Sequence, residues 1–297
     1  MKHNLIGISG KIGSGKDTVG KIIQILSSFP KMSTERVLEH LDRELYNNNY
    51  EIVKFADELK NTLCRWIGCT REQLEDRKFK ETELGEEWWY YKVTVVGGDF
   101  TLINYLDNNK TEDWLAIANP RYLIRPTPRL LLQLLGTEAG RKIIHPNLWV
   151  NALFSRYKVL NKGDFMPGDY IGSCITCGCK LFGVAKSQKE CKICHRKDVY
   201  PNWIITDMRF PNELEAVKKR GGLTIRVNHF VCGQCDKRWV VNDTGRCKSC
   251  SHPVRKPAYT GDHLSETGLD NAEFDIVMNN DGSLFDLVET IKELKLV

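Results

Sequence analysis

The chain has 297 residues, 41% of them hydrophobic and 27% charged, with a formal net charge of +5. That balance is ordinary for one large or two modest folded domains, and no window holds the eighteen or more apolar residues that cross a bilayer. The start, MKHNLIGISG, lacks the basic, apolar, small-residue order of a secretory leader, so the expected location is the cytoplasm.

Residues 4–9, NLIGIS, are a short apolar run that suits a buried strand. GKIGSGKDT follows at 10–18, and Val19, Ile22, Ile23 and Leu26 then recur at helical spacing. Strand, glycine turn and helix are the setting of a phosphate-binding loop. Gly10, Gly13 and Gly15 let the backbone around Ser14 curl so that successive N–H groups face one point. A helix beginning near Lys16 adds its positive end, and Lys16 a full charge. A glycine turn with no ligand is the bland alternative. One letter departs from G-x-x-x-x-G-K-[ST]. Asp17 stands where a hydroxyl usually binds Mg²⁺, and Thr18 comes one position late. Asp17 either serves the cation, directly or through water, or caps the helix it begins; both readings stay open.

YEIVKFADELKNTLCRWIG (50–68) reads as a strand to about Phe55 and then a helix, with Cys64 and Cys69 as buried thiols. Residues 71–82 read as a charged, solvated helix or loop. WWYYKVTVVGGDFTLINYL (88–106) reads as a hairpin turning at Gly97-Gly98, inside an insertion at about 84–118. Residues 107–128, with three prolines, read as loop. RLLLQLLGTEAGR (129–141) reads as a helix in which Arg129, Gln133, Thr137 and Arg141 fall at successive i+4 steps. A narrow polar stripe among leucines faces either solvent or an anion, and two arginines suit a phosphate.

Eleven cysteines are many for such a chain, and eight of them form four C-x-x-C pairs. Cys174-x2-Cys177 and Cys191-x2-Cys194 have thirteen residues between pairs; Cys232-x2-Cys235 and Cys247-x2-Cys250 have eleven. Each set has the spacing of a Cys₄ zinc ribbon, and without a secretory leader the pattern points to zinc rather than disulfides. Cys179, His195 and His252 are spare. Each zinc with four thiolates adds a net −2, so two filled sites bring +5 to about +1. Net basicity is then a weak argument for nucleic acid.

NWIITDMRFPNELEAVKKRGGLTIRV (202–227) reads as strand, polar turn, helix from Pro211, glycine stop and strand. Asp207 closes the apolar strand where a second carboxylate would orient Mg²⁺, and Arg209 sits two residues later. FDIVMNNDGSLFDLVETIKELKL (274–296) gives a last strand and a last helix with Ser283 as N-cap. The alternation predicts an α/β fold, a mostly parallel sheet with helices on both faces, and ligands at the carboxyl ends of its strands.

Several stretches together resemble the bacteriophage-type deoxynucleoside monophosphate kinases, a branch of the P-loop kinases. They are GISGKIGSGKDTVG, KFADELK, RPTPRLLLQLLGTEAGRKIIHPNLWVNAL, IITDMRFPNELEAVKKRGG, HLSETGLD and FDIVMNNDG, roughly a third of the chain and in the family's order. The resemblance implies ATP-dependent phosphorylation of a deoxynucleoside 5′-monophosphate. It implies that Lys16 and the amides of Gly10, Gly13, Ser14 and Gly15 hold ATP, that Asp17, Thr18 and Asp207 surround Mg²⁺, and that Arg209 lies near the transferred phosphoryl group. Phe55, Lys60, Arg129, Gln133, Thr137, Glu138, Arg141 and Trp149 would line the acceptor side, and related kinases are often dimers.

The expected plan is a kinase core over 1–173, 201–230 and 258–297, with ribbons at 174–200 and 231–257. The second ribbon leaves the carboxyl end of a core strand, in the interval where adenylate kinases carry their lid. It reads either as a closing lid, with Arg238, Arg246 and Arg255 toward ATP, or as a stabilising insert like the first. Two rival readings stand beside the kinase. One keeps the fold but changes the acceptor, as in dephospho-coenzyme A or phosphomevalonate kinases. The other makes the ribbons, each with six Lys/Arg against two Asp/Glu, a nucleic-acid-binding surface on an NTPase core.

Overall fold

A computed structural model describes residues 3–43, 48–94, 100–106, 122–158, 170–173, 180–182, 200–237, 244–253, 255–257 and 264–296. The chain forms two compact units, Met1–Phe55 with Val150–Val297, and Ala56–Trp149.

The first unit is built on five strands: β1 (Leu5–Ser9), β2 (Glu51–Val53), β3 (Trp203–Met208), β4 (Leu223–Asn228) and β5 (Ile276–Asn279). Their order is β5–β4–β1–β3–β2 and every pairing is parallel. A parallel sheet needs both faces covered, and the period-2 alternation of side chains supplies two cores. On one face Ile6, Ile8, Ile204, Ile225 and Val227 meet Val19, Ile22 and Ile23 of the helix Lys16–Ser28. Leu287, Val288 and Ile291 of the helix Leu284–Glu293 complete that layer. On the other face Leu5, Val53, Trp203 and Ile205 pack with Val150, Leu153 and Phe154, and with Leu214 and Val217 of the helix Pro211–Lys218.

Strand β1 sits in the middle, with β3 and β4 on its two sides. The chain direction therefore switches sides at β1, and a crevice opens at its carboxyl end, where this topology places ligands. Two local devices fix the last strand and helix. The Asp275 carboxylate accepts the Thr224 N–H (2.8 Å) and its hydroxyl (2.6 Å), tying the entry of β5 to β4. Ser283 and Asp286 form a reciprocal capping box, as the N-cap reading required.

The second unit holds the helices Asp57–Ile67, Arg71–Glu75 and Arg77–Glu81 around Leu63, Cys64 and Leu74, with Leu131 and Leu132 packed against them. Strands Tyr90–Thr94 and Phe100–Asn104 make the expected antiparallel hairpin; Gly97 and Gly98 lie outside the described residues. Leu123–Ile124, in a stretch read as loop, adds a third strand beside Tyr90 and Tyr91.

The helix read over 129–141 needs correction. Pro128–Gln133 is α-helical, but Leu134–Ile144 is a π-helix, a form usually confined to single turns and often found at functional sites. His145 N–H donates to the Gly140 carbonyl at 3.0 Å, five residues back, and the Trp149 indole donates to the Gly136 carbonyl at 2.9 Å. A Cβ at Gly140 would lie 2.4 Å from the Leu135 carbonyl and 3.1 Å from the Trp149 ring, so the wide turn closes only on glycine.

Two short antiparallel pairs complete the described strands, Tyr170–Ser173 with Lys180–Phe182 and Phe230–Cys232 with Arg255–Pro257. Among the described residues no helix is long and apolar enough to cross a membrane.

Candidate active site at the carboxyl edge of the sheet

The loop after β1 curls through two left-handed glycines, Gly13 at φ +76° and Gly15 at φ +86°, a region that side chains other than glycine's seldom tolerate. Gly15 is the N-cap of the helix Lys16–Ser28, and no side chain caps the amides of its first turn; within the loop the Ser14 N–H donates to the Lys11 carbonyl at 3.1 Å. Asn280, just past β5, donates from its side chain to the Ser14 carbonyl at 2.9 Å and holds the loop from outside. Gly10 lies directly against Ser14. The Ser14 hydroxyl is buried without a hydrogen-bond partner. An orphaned buried hydroxyl costs about 1–3 kcal/mol, and a phosphate oxygen in the curl would satisfy it. These residues fit a polyphosphate.

Lys16 is 8% exposed. Burial and the neighbouring Arg209 push its pKa down, while Asp17, Glu266 and Asp207 push it back up. Asp17 does not cap its helix, since no side chain caps that N-terminus. Its carboxylate instead accepts the Thr206 hydroxyl at 2.8 Å and pairs with Lys54 at 2.8 Å. Burial alone would raise the Asp17 pKa; Lys54 and Thr206 outweigh it and hold the carboxyl below its ordinary range. Thr18 is half-buried on the first helical turn. Asp207, on β3, accepts the Phe55 N–H at 2.8 Å. The carboxylates of Asp17 and Asp207 and the hydroxyl of Thr18 are oxygen donors of the kind Mg²⁺ takes. The Phe55 ring itself is buried against Phe154, so only its backbone belongs to the site edge.

Arg209 is fixed at both ends. Its N–H donates to Glu213 at 2.7 Å, and its guanidinium donates to Glu266 at 2.9 Å. The other Glu266 oxygen accepts the Ile12 N–H of the loop at 2.8 Å. Lys11, next in the loop, pairs with Asp270, which also takes Arg226. A cavity of about 340 Å³ adjoins these residues, lined by Lys11, Ser14, Arg226, Asn228, Phe230 and Phe274 among others.

In the second unit, Lys60 pairs with Glu75 (2.6 Å), Arg129 with Glu81, and Glu138 with Lys142 (2.7 Å). Gln133 is exposed and Thr137 and Arg141 are half-buried. Four α-helical residues overshoot a turn and four π-helical residues fall short of one. The stripe from Arg129 to Arg141 therefore keeps one direction across the α–π junction.

Cys232, Cys235, Cys247 and Cys250 converge, their sulfurs all within 4.8 Å of one another. The Cys232–Cys250 and Cys235–Cys247 separations are 3.4 and 3.8 Å. Zn–S bonds of about 2.3 Å put tetrahedral thiolates about 3.8 Å apart, so this set fits Zn²⁺. The Gln234 N–H donates to the Cys232 sulfur, as a knuckle around a thiolate requires. Cys174, Cys177, Cys191, Cys194 and Arg238 lie outside the described residues.

Sequence reasoning missed Lys54, Thr206, Glu213, Glu266 and Asn280. Glu213 had a local signal, as an acid in the first turn of a helix. The other four fall inside the stretches that carry the resemblance, but no local pattern singles them out, because their partners lie 37 to 266 residues away.

No family model matches the sequence. The chain is similar to the deoxynucleoside-5′-monophosphate kinase of Escherichia phage T5, 25% identical over 240 residues that cover 74% of this chain and 73% of that protein.

Proposed function

We propose that this protein is a phosphotransferase acting on nucleotides, and that it transfers the terminal phosphoryl group of ATP to a deoxynucleoside 5′-monophosphate. The observation that carries the reading is the loop curled by two left-handed glycines, with the unpartnered Ser14 hydroxyl and the buried Lys16 side by side in it and Asp17, Asp207 and Arg209 near enough to act on the lysine's charge. The likeness to the phage kinase supports the acceptor class.

Phosphoryl transfer asks little covalent chemistry of a protein and much positioning and charge. The loop amides and Lys16 bind the triphosphate, and Ser14 gains its missing partner. Arg209 stands ready for charge that develops on the transferred group. Mg²⁺, held by Asp17, Asp207 and Thr18, would supply further charge neutralisation. Arg129, Gln133, Thr137 and Arg141 hold the acceptor, with Lys60, Glu138 and Trp149 beside them. The acceptor's phosphate releases Arg129 and Lys60 from Glu81 and Glu75. Cys232, Cys235, Cys247 and Cys250 would hold a structural Zn²⁺, and the ribbon they close would act as a lid over the triphosphate, with Arg246 and Arg255 on its rim; Cys174, Cys177, Cys191 and Cys194 would hold a second zinc.

The test is a coupled ADP-release assay with each deoxynucleoside and ribonucleoside monophosphate. Turnover with at least one deoxynucleotide is expected, and Lys16→Ala should abolish it while the thermal transition survives. Turnover with dephospho-coenzyme A or phosphomevalonate alone, or a salt-dependent shift of DNA with no turnover, would move the protein to one of the rival classes.

A further inference from the structure

Glu266 lies on the short helical turn Leu264–Thr267, and its side chain is 4% exposed. A carboxylate that deeply buried is costly unless both oxygens are engaged. Here one accepts the Ile12 N–H at 2.8 Å and the other the Arg209 guanidinium at 2.9 Å. Four residues on, Asp270 takes Lys11 and Arg226. One segment thus holds two consecutive residues of the phosphate loop and the arginine that faces it.

We propose that Glu266 is a positioning residue for phosphoryl transfer, which acts by holding the Arg209 guanidinium at a fixed place beside the phosphate loop. The proposal rests on the kinase reading above. A free arginine side chain samples many rotamers and loses that freedom when it engages a phosphoryl group. Ordering it before substrate arrives removes that cost from the transition state, where preorganised charge counts most. Glu213 fixes the backbone of Arg209 and Glu266 fixes its tip, while 35% of the side chain stays open toward solvent. Glu266 also offsets the repulsion between Arg209 and Lys16, two cations that must share one site.

The test compares Glu266→Gln, which keeps an acceptor for the Ile12 N–H but removes the charge, with Glu266→Asp and Arg209→Ala. Glu266→Gln should lower kcat at least tenfold while KM for ATP moves less than threefold, and Glu266→Asp should recover part of the loss. In an Arg209→Ala background, Glu266→Gln should cost less than a further twofold. An equal loss in both backgrounds would show that Glu266 acts independently of Arg209. An unchanged or raised kcat with a lower KM would make the carboxylate a stand-in for phosphate. Either result overturns the proposal. A second readout needs no turnover: in the free protein, nitrogen-15 spectra should show resolved guanidinium resonances for Arg209 that collapse in Glu266→Gln. Their persistence would overturn the proposal even if the chain phosphorylates no deoxynucleotide, a result that would defeat only the kinase reading. Should Glu266→Gln fail to fold, Glu266→Asp carries both measurements.

Discussion

Asp17 brings a negative charge into the loop we propose to bind phosphate, where Lys54 and Thr206 engage it. Lys54→Met would remove the ion pair and leave the carboxylate with only the Thr206 hydroxyl and the charge of Lys16 to offset its repulsion of a bound triphosphate. We expect ATP binding, measured by calorimetry in EDTA so that no metal intervenes, to weaken at least tenfold, about 1.4 kcal/mol. Asp17→Asn added to Lys54→Met should restore most of it. Unchanged binding in Lys54→Met would mean that Asp17 points away from the phosphates. At this scale the sequence was half legible. Lys16 and the glycines announce themselves because a loop of nine residues builds its own geometry. Lys54 and Glu266 do not, because each acts on a residue brought near only by the finished sheet.

At the scale of elements, the junction between β4 and β5 rests on one carboxylate. Burial would raise the Asp275 pKa, but the hydrogen bonds from the Thr224 side chain and N–H outweigh it and hold the group below its ordinary value. A carboxyl depressed on folding contributes stability that is present above its unfolded pKa, about 3.9, and is lost as pH falls through the folded one. The urea midpoint of the wild type should therefore fall below about pH 4 relative to Asp275→Asn, and the two should run parallel above pH 5. The π-helix makes a second prediction. Trp149→Phe removes the indole donation to the Gly136 carbonyl and should cost about 1 kcal/mol in urea unfolding. Strands and capped helices were readable because their periods, 2 and 3.6, differ widely. The π turn was not. A four-residue polar spacing suits either helix, and only the contact of Gly136 and Gly140 with Trp149 decides.

At the scale of the whole molecule, contacts run from the phosphate loop to the base of the ribbon. Asn280 holds the Ser14 carbonyl and accepts His229 through its own carbonyl (2.9 Å), and Asp281 takes the Phe230 N–H (3.0 Å) and Arg255. The strand pair 230–232 with 255–257 carries Cys232 directly above that base. Loss of zinc should therefore loosen the loop's surroundings. We expect Cys232→Ser with Cys235→Ser to lower turnover more than Cys174→Ser with Cys177→Ser, and each to release one equivalent of zinc relative to wild type. Equal turnover in the two double variants would reduce the second ribbon to a stabilising insert. The parallel sheet was legible as a whole from alternating strands and helices, whereas this path was not, since it joins short loops by single hydrogen bonds.

The central place of β1 has a consequence for how the protein is made. The middle strand β1 ends at Ser9, yet both strands that flank it come from beyond residue 200. At about 5–20 residues per second, a ribosome needs tens of seconds to supply them. Throughout that interval an apolar, isoleucine-rich segment has no native neighbour to pair with, and chaperones have reason to attend it. A nascent chain that stalls before Trp203 carries every letter of the loop after β1 and neither of the strands that flank it.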